Sequence, residues 1–277
     1  MVPIREPAVA GSFYPSDPDE LRTAVQDLLD AARIVPGPPP CALVAPHAGY
    51  VYSGAVAASA YAQLLPHRGR YRRVALLGPA HRVPVSGLAL PGVELFRTPL
   101  GLVPVGKAAF DQLGRSTVTV NPAAHRREHC LEVQLPFLQV VLGAFKMVPL
   151  LVGVTEPATV AAAIQRLWRD EGTLVVVSTD LSHYLDYETA GRRDGGTRAA
   201  VETPVAPPRR NRAVWGGLAA AAVAGASISR RNTPRRGVRP RSLPISLISP
   251  VNMRFPSSPA PIQTVTLSRT PAKSRRS

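Results

Sequence analysis

Cys41-Ala-Leu-Val-Ala-Pro-His-Ala-Gly-Tyr50 is a short apolar run that breaks into a turn carrying one histidine. The same grammar recurs twice. Val74-Ala-Leu-Leu77 leads into Gly78-Pro-Ala-His81, and Leu174-Val-Val-Val177 leads into Ser178-Thr-Asp-Leu-Ser-His183. Continuous apolar runs of four or five residues ending in Gly, Pro or Ser fit strands buried on both faces. Parallel strands of an α/β sheet align their carboxyl ends along one edge, where ligand crevices open. The expectation is therefore that His47, His81 and His183 meet at one edge of a sheet.

Working outward, Asp17 can cap a helix that has Pro18 at its first position and Glu20 in place for a capping box. Leu21, Val25, Leu28 and Leu29 then share one helical face. The pattern predicts strands at 41–45 and 71–77, Val85–Leu90 and Val93–Arg97, Phe145–Val152, and 173–178. Helices are predicted at Ala55–Leu65, Val105–Leu113, Leu131–Leu142 and Glu156–Arg169, the last facing inward through Val160, Ile164, Leu167 and Trp168. Strands alternating with helices imply an α/β fold, with a largely parallel or mixed central sheet flanked by helices.

This grammar stops near Glu202. Residues 203–277 contain 14 Lys and Arg, 11 Pro and no acidic residue, so they hold nearly all of the +15 net charge. Residues 1–202, with 19 basic and 18 acidic side chains, form the α/β domain. The basic stretch keeps no helical or strand period and is expected to lack persistent structure. It reads as a basic arm, as an unselected tail, or as translation out of frame. The last is favoured, because 30 Arg against 3 Lys suggest a GC-rich gene whose wrong frame yields Arg, Pro, Ala, Gly and Ser. Nucleic-acid binding ranks low: the domain is neutral, and the tail offers only Trp215 and Phe255 for stacking.

Two cysteines are too few for a disulfide framework and fit a reducing compartment. No signal-peptide pattern or membrane span is legible, and the expected location is the cytoplasm. A phosphate loop, a CxxC pair, HExxH and GxSxG are all missing, which weakens nucleotide, zinc-ribbon and serine-hydrolase readings.

Neutral imidazole ligates Zn, Cu, Fe and Ni, usually with its second nitrogen fixed by a partner. Asp180 is a candidate for that partner or for acid/base work. Glu128, His129 and Glu132 form a second polar cluster, read equally well as helix capping or as groups entering the crevice. Tyr50 and Tyr52 carry polar tips beside His47 and are candidate ligand contacts. His67 and His125, in Arg-rich loops, read as structural. Cys41 reads as a core residue; Cys130, beside His129, is a weak candidate for a thiol or ligand.

Several of these motifs together resemble the Memo family. They are Arg5-Glu-Pro-Ala-Val-Ala-Gly-Ser-Phe-Tyr-Pro15, Ala45-Pro-His-Ala-Gly-Tyr-Val-Tyr-Ser-Gly54, Gly78-Pro-Ala-His81, Glu128-His129 with Leu131-Glu-Val-Gln-Leu-Pro-Phe137, and Ser178-Thr-Asp-Leu-Ser-His183. The resemblance spans residues ~5–202 in order. It implies a fold like that of class III extradiol dioxygenases, with a metal site at the strand ends. It also implies His47, His81 and His183 as metal ligands, iron or copper as the ion, and Asp180 and His129 as catalytic groups. Both metal binding and recognition of a peptide or small ligand are functions it carries with it. Bacterial and archaeal members occur as component B of the AmmeMemoRadiSam system, so a radical-SAM protein and a further component are the implied partners. Two departures stand out: Cys130 where the family usually has Ser, and no Cys-Gly-Arg-His-Pro-like motif in 203–277. That motif's cysteine joins the family's site histidines, so an incomplete site and a sheet lacking terminal elements are expected.

Overall fold

A computed structural model describes residues 2–106, 108–114, 118–168, 172–182, 185–202 and 267–268. His183 and most of the basic segment therefore lie outside the described residues.

The main sheet has seven strands in the order β10-β2-β9-β3-β8-β4-β7. Its centre consists of β2 (Pro40–Ala45), β9 (Thr173–Ser178), β3 (Arg73–Pro79) and β8 (Lys146–Val152). These four are mutually parallel, pairing Ala45 with Ser178, Leu77 with Val177, and Pro79 with Val152. Beyond them, β4 (Leu88–Leu90) runs antiparallel to β8 and parallel to β7 (Val118–Val120). On the other edge, β10 (Leu267–Ser268) pairs antiparallel with β2. The sheet is thus mixed with a parallel centre, as the alternating strand and helix pattern implies. A second, three-stranded sheet joins β1 (Ile4–Arg5), β5 (Leu95–Thr98) and β6 (Gly101–Pro104).

Alternate residues of the central strands enter two separate cores, which is why the strands read as unbroken apolar runs. Leu43, Val74, Leu76, Met147, Leu151, Leu174 and Val176 face α1 (Pro18–Asp30), α2 (Tyr50–Tyr61) and α5 (Leu135–Leu142). Ala42, Ala75, Leu77, Val148, Leu150, Val175 and Val177 face α6 (Pro157–Leu167), through its buried Val160, Ala163, Ile164 and Leu167. Trp168 is only half-buried at the helix end. In α1 the Asp17 carboxylate accepts from the backbone N–H groups of Asp19 and Glu20, satisfying two of the donors a helix start leaves open.

Several elements differ from the sequence expectation. The helix expected from Val105 begins only at Ala108 (α3, Ala108–Leu113), because the chain before it is held extended as β6. Val105 itself bridges to Met147. The helix expected from Leu131 opens as a tight 3-10 turn at Glu132–Gln134, and α5 proper starts with Pro136 in its first turn, where a missing N–H costs nothing. The segment after Tyr61 likewise tightens into a 3-10 stretch ending at Arg70, with Pro66 inside it. Two further helices complete the fold: α4 (Pro122–Arg126), capped by Asn121, and α7 (Tyr187–Glu202).

Among the described residues no helix is long and apolar enough to cross a membrane.

Candidate metal centre

The carboxyl ends of β2, β3 and β9 lie side by side, so the turns that follow them are neighbours. His47 comes from the turn after β2 and His81 from the turn after β3. His129 joins them from the loop between α4 and the 3-10 turn at Glu132. Ring centroids are 5.1 Å apart for His47 and His81, 5.4 Å for His47 and His129, and 4.7 Å for His81 and His129. One ligating atom from each of the three lies within 4.8 Å of the other two.

The hydrogen bonds around these rings set which nitrogen carries the proton. Ser178 has one hydroxyl proton, and its Oγ donates to the carbonyl of Cys130 at 2.7 Å. It also accepts from Gln134 Nε2 at 2.8 Å. His47 Nδ1, 2.9 Å from the same Oγ, is therefore the donor in that contact, and Nε2 is the lone-pair nitrogen of the neutral ring. His81 Nδ1 donates to Glu128 Oε1 at 2.8 Å, which again makes Nε2 the ligand-type nitrogen. His129 Nδ1 lies 3.1 Å from the same carboxylate oxygen. His129 Nδ1 makes no hydrogen bond there, whereas the hydroxyl behind His47 and the carboxylate behind His81 are the arrangement that orients histidines toward a metal.

Glu128 anchors the cluster. Its carboxylate is buried and accepts the backbone N–H groups of His81 (2.7 Å) and His129 (3.0 Å) as well as the His81 ring. Burial raises its pKa, but the hydrogen bonds and fields of His129 and His81 outweigh that and hold the carboxyl well below the usual range. Burial acts on His47 in the opposite sense, since charge is lost on deprotonation. Its pKa falls to about 3, the pull of Asp180 notwithstanding, and the ring stays neutral.

Asp180 is brought to the site, but its role differs from that of a ring partner. It accepts the backbone N–H of His47 at 2.5 Å, and its other oxygen lies 3.7 Å from His47 Nε2. Ser178, not singled out from the sequence, is the partner of the ring. The turn that presents Asp180 continues through Leu181 at φ 60°, a left-handed conformation uncommon for leucine. Ser182 then binds the carboxylate of Asp194 on α7 through both its N–H and its hydroxyl.

The tyrosines are placed differently from the expectation. Tyr50 is buried, packs on Tyr14 and Phe137, and donates its hydroxyl to the carbonyl of Val133 at 2.8 Å. It braces α2 against α5 and offers no polar tip to a crevice. Tyr52, two residues on, is 86% exposed. Phe13 supplies the apolar neighbour of the site, edge-on to His129 at 5.1 Å.

Cys130 is fully buried, and burial pushes its thiol pKa up. The thiol donates to the Pro79 carbonyl at 3.1 Å. It lies over Gly78, where an added Cβ would sit 2.7 Å from its sulfur, so the glycine lets the thiol close against β3. Cys130 also forms a second ligand-type group with His81 and Glu128. Glu132 is neither a cap nor a crevice group: it is buried and answers Arg5 from the first strand.

His125 is structural, with Nε2 donating to the carbonyl of Ala89 at 2.9 Å. Burial lowers its pKa to about 4, against a small opposing effect of that hydrogen bond. The unfolded chain, near 6.5, takes up this proton first. Stability from His125 is thus full above about pH 6.5 and is lost as the pH falls toward 4, by about 3 kcal/mol in all. Urea midpoints at pH 7 and pH 4.5 should differ by less in His125→Gln than in the parent chain.

The family relationship rests on the whole domain. A family model described as "Memo-like protein" matches residues 5–205. The chain belongs to the Memo family. A MEMO1 family protein of Thermotoga neapolitana is 38% identical over 219 residues, covering 72% of this chain and 77% of its own. One from Methanopyrus kandleri is 39% identical, covering 69% and 72%, and one from Aquifex aeolicus is 35% identical, covering 72% and 74%. The Memo match ends within three residues of Glu202, where the composition changes.

Proposed function

We propose that this Memo-family chain is a metal-binding protein whose His47, His81 and His129 hold a divalent transition ion. The observation that carries this is the proton arrangement: Ser178 and Glu128 each take an Nδ1 proton and so leave Nε2 of His47 and His81 as the ligating atoms. Ligands about 2.0–2.1 Å from one ion stand roughly 3–4 Å apart, and one ligating atom from each of these rings lies within 4.8 Å of the other two. An all-imidazole set suits iron, copper, zinc or nickel, and iron or copper is the choice favoured by the family resemblance. His183, three residues past Asp180 in the sequence, is proposed as a further ligand by the family resemblance.

A bound ion would act as a Lewis acid and, if redox-active, as a site for oxygen chemistry of the kind extradiol dioxygenases perform. The chain's own groups have separate tasks. Glu128 fixes the His81 ring and holds the backbone N–H of His129, Ser178 fixes the His47 ring, and Asp180 stands 3.7 Å from His47 Nε2, beside the proposed ion. Phe13 lies edge-on against the His129 ring as its apolar neighbour. Assembly with a radical-SAM protein is part of the same reading.

Metal content of the purified full chain, measured by mass spectrometry after loading with Fe(II) or Cu(II), tests this. His81→Ala should lose most of the ion, and Glu128→Gln should bind 10- to 100-fold more weakly, the usual cost of removing a ligand's supporting carboxylate. Equal metal content in parent and His81→Ala would sink the proposal. Ligand binding that persists after chelation would favour a metal-independent peptide or small-ligand module instead.

A further inference from the structure

A groove of about 670 Å³ is lined in part by residues adjacent in sequence to the site histidines. Arg82, which lines it, follows His81; Arg126 and Arg127 precede Glu128 and His129. The rest of the wall includes Pro91, Val93 and Pro122. The volume is in the range of small-molecule pockets, and apolar walls with a few polar groups are their usual make-up.

The charges around it are unevenly used. Arg5 is committed to Glu132 and to the carbonyls of His125 and Glu128. His125 is committed to Ala89, and Glu6, an acidic group on the wall, pairs with Arg97 at 2.9 Å. Arg82, Arg126 and Arg127 are exposed, and none has a side-chain hydrogen bond or a carboxylate partner among the described residues. Three uncompensated guanidinium groups around one cavity are notable in residues 1–202, where basic and acidic side chains nearly balance. Guanidinium forks match phosphate and carboxylate oxygens in pairs.

We propose that this groove is a binding site for a small organic anion, with a phosphate or carboxylate held by Arg82, Arg126 and Arg127 and an apolar body against Pro91, Val93 and Pro122. The site is separate from the histidine cluster but mechanically joined to it. Arg5, on the groove wall, donates to the carbonyl of Glu128, whose carboxylate holds the His81 ring and the backbone N–H groups of His81 and His129.

The test is calorimetric titration of the full-length, chelator-treated protein with phenyl phosphate and, separately, phenylacetate at fixed ionic strength. The two probes distinguish a phosphate from a carboxylate ligand. Saturable binding of either is expected, weakened about tenfold or more in Arg126→Ala/Arg127→Ala, as loss of a charge-assisted hydrogen bond implies. Val93→Trp, which keeps every arginine but fills the cavity, should also abolish it. Both variants should unfold at the parent's temperature, since the arginines are exposed and Val93 is only half-buried. Absence of saturable binding overturns the proposal. So does binding that is equal in parent and variants, which would place the anion on the basic residues beyond 202.

Discussion

Glu132→Ala is expected to destabilise the domain by about 3–5 kcal/mol, the cost of leaving a buried charge unpaired. Glu132 is fully buried and ion-pairs with Arg5, itself almost wholly buried. Its carboxylate also accepts from Tyr14 Oη at 2.5 Å, from Ala8 N at 2.8 Å and from Val9 N at 3.0 Å. Burial together with this carboxylate drives the Tyr14 pKa up, so the phenol remains a donor. Truncation leaves one cation and three neutral donors facing an apolar void. Glu132→Gln keeps an acceptor and the volume, and it should cost less than alanine but more than a surface change. Urea unfolding at pH 7 reads the difference as a shift in midpoint at constant slope. A loss below about 1 kcal/mol for alanine would mean that water enters and solvates Arg5.

Gly153→Ala should be the second severe change, by about 3 kcal/mol or more. A Cβ at this position would sit 2.0 Å from the carbonyl oxygen of Val85 and 2.5 Å from its carbon, and those are backbone atoms that no rotamer can move. The two segments are laced together on either side: Gly153 N–H donates to Gly87 at 2.9 Å, Gly87 N–H to Val154 at 3.0 Å, and Val154 N–H to Val85 at 2.8 Å. Relief therefore requires pushing the segment 80–87 away from β8, and that segment carries His81. The variant should melt roughly 6–12 °C lower, by the usual scaling for a domain of this size. It should also lose metal affinity without any change to a ligand. Gly37→Ala, whose nearest neighbour would be 4.0 Å away, is the near-neutral control. If Gly153→Ala melts with the control, the segment is more pliant than its hydrogen bonds imply.

The strands that carry the site were legible because each central strand is buried on both faces, so its apolar run is continuous. His47 and His81 could be placed at one edge for the same reason. The short strands β1, β6 and β7 were not legible, since Ile4–Arg5, Gly101–Pro104 and Val118–Val120 hold too few residues to show a period. His129 could be listed as a candidate but not joined to the triad, because it arrives from a loop rather than a strand end. Ser178 and Arg5 were missed for a different reason. Their importance lies in partners 131 and 127 residues away, and no local pattern encodes such a pairing. Glu132 read equally as a cap or a crevice group because its sequence neighbours are helical, whereas its charge answers Arg5, 127 residues away along the chain. Tyr50 looked like a ligand contact because its hydroxyl follows His47 closely; the helix it starts turns that hydroxyl inward to Val133.

The strand order also has a consequence for synthesis on the ribosome. Strand β2 emerges first of the central four, yet its parallel neighbour β9 is made about 130 residues later. At roughly 5–20 residues per second, that is a wait of about 7–26 s. During it, the newborn β2 has an apolar edge and no parallel partner to close it. The nascent chain must shield Cys41–Ala45 until Thr173–Ser178 has cleared the exit tunnel. Ser178, whose hydroxyl takes the His47 Nδ1 proton, also arrives only with β9, so His47, His81 and His129 are all made before the group that fixes the first of them.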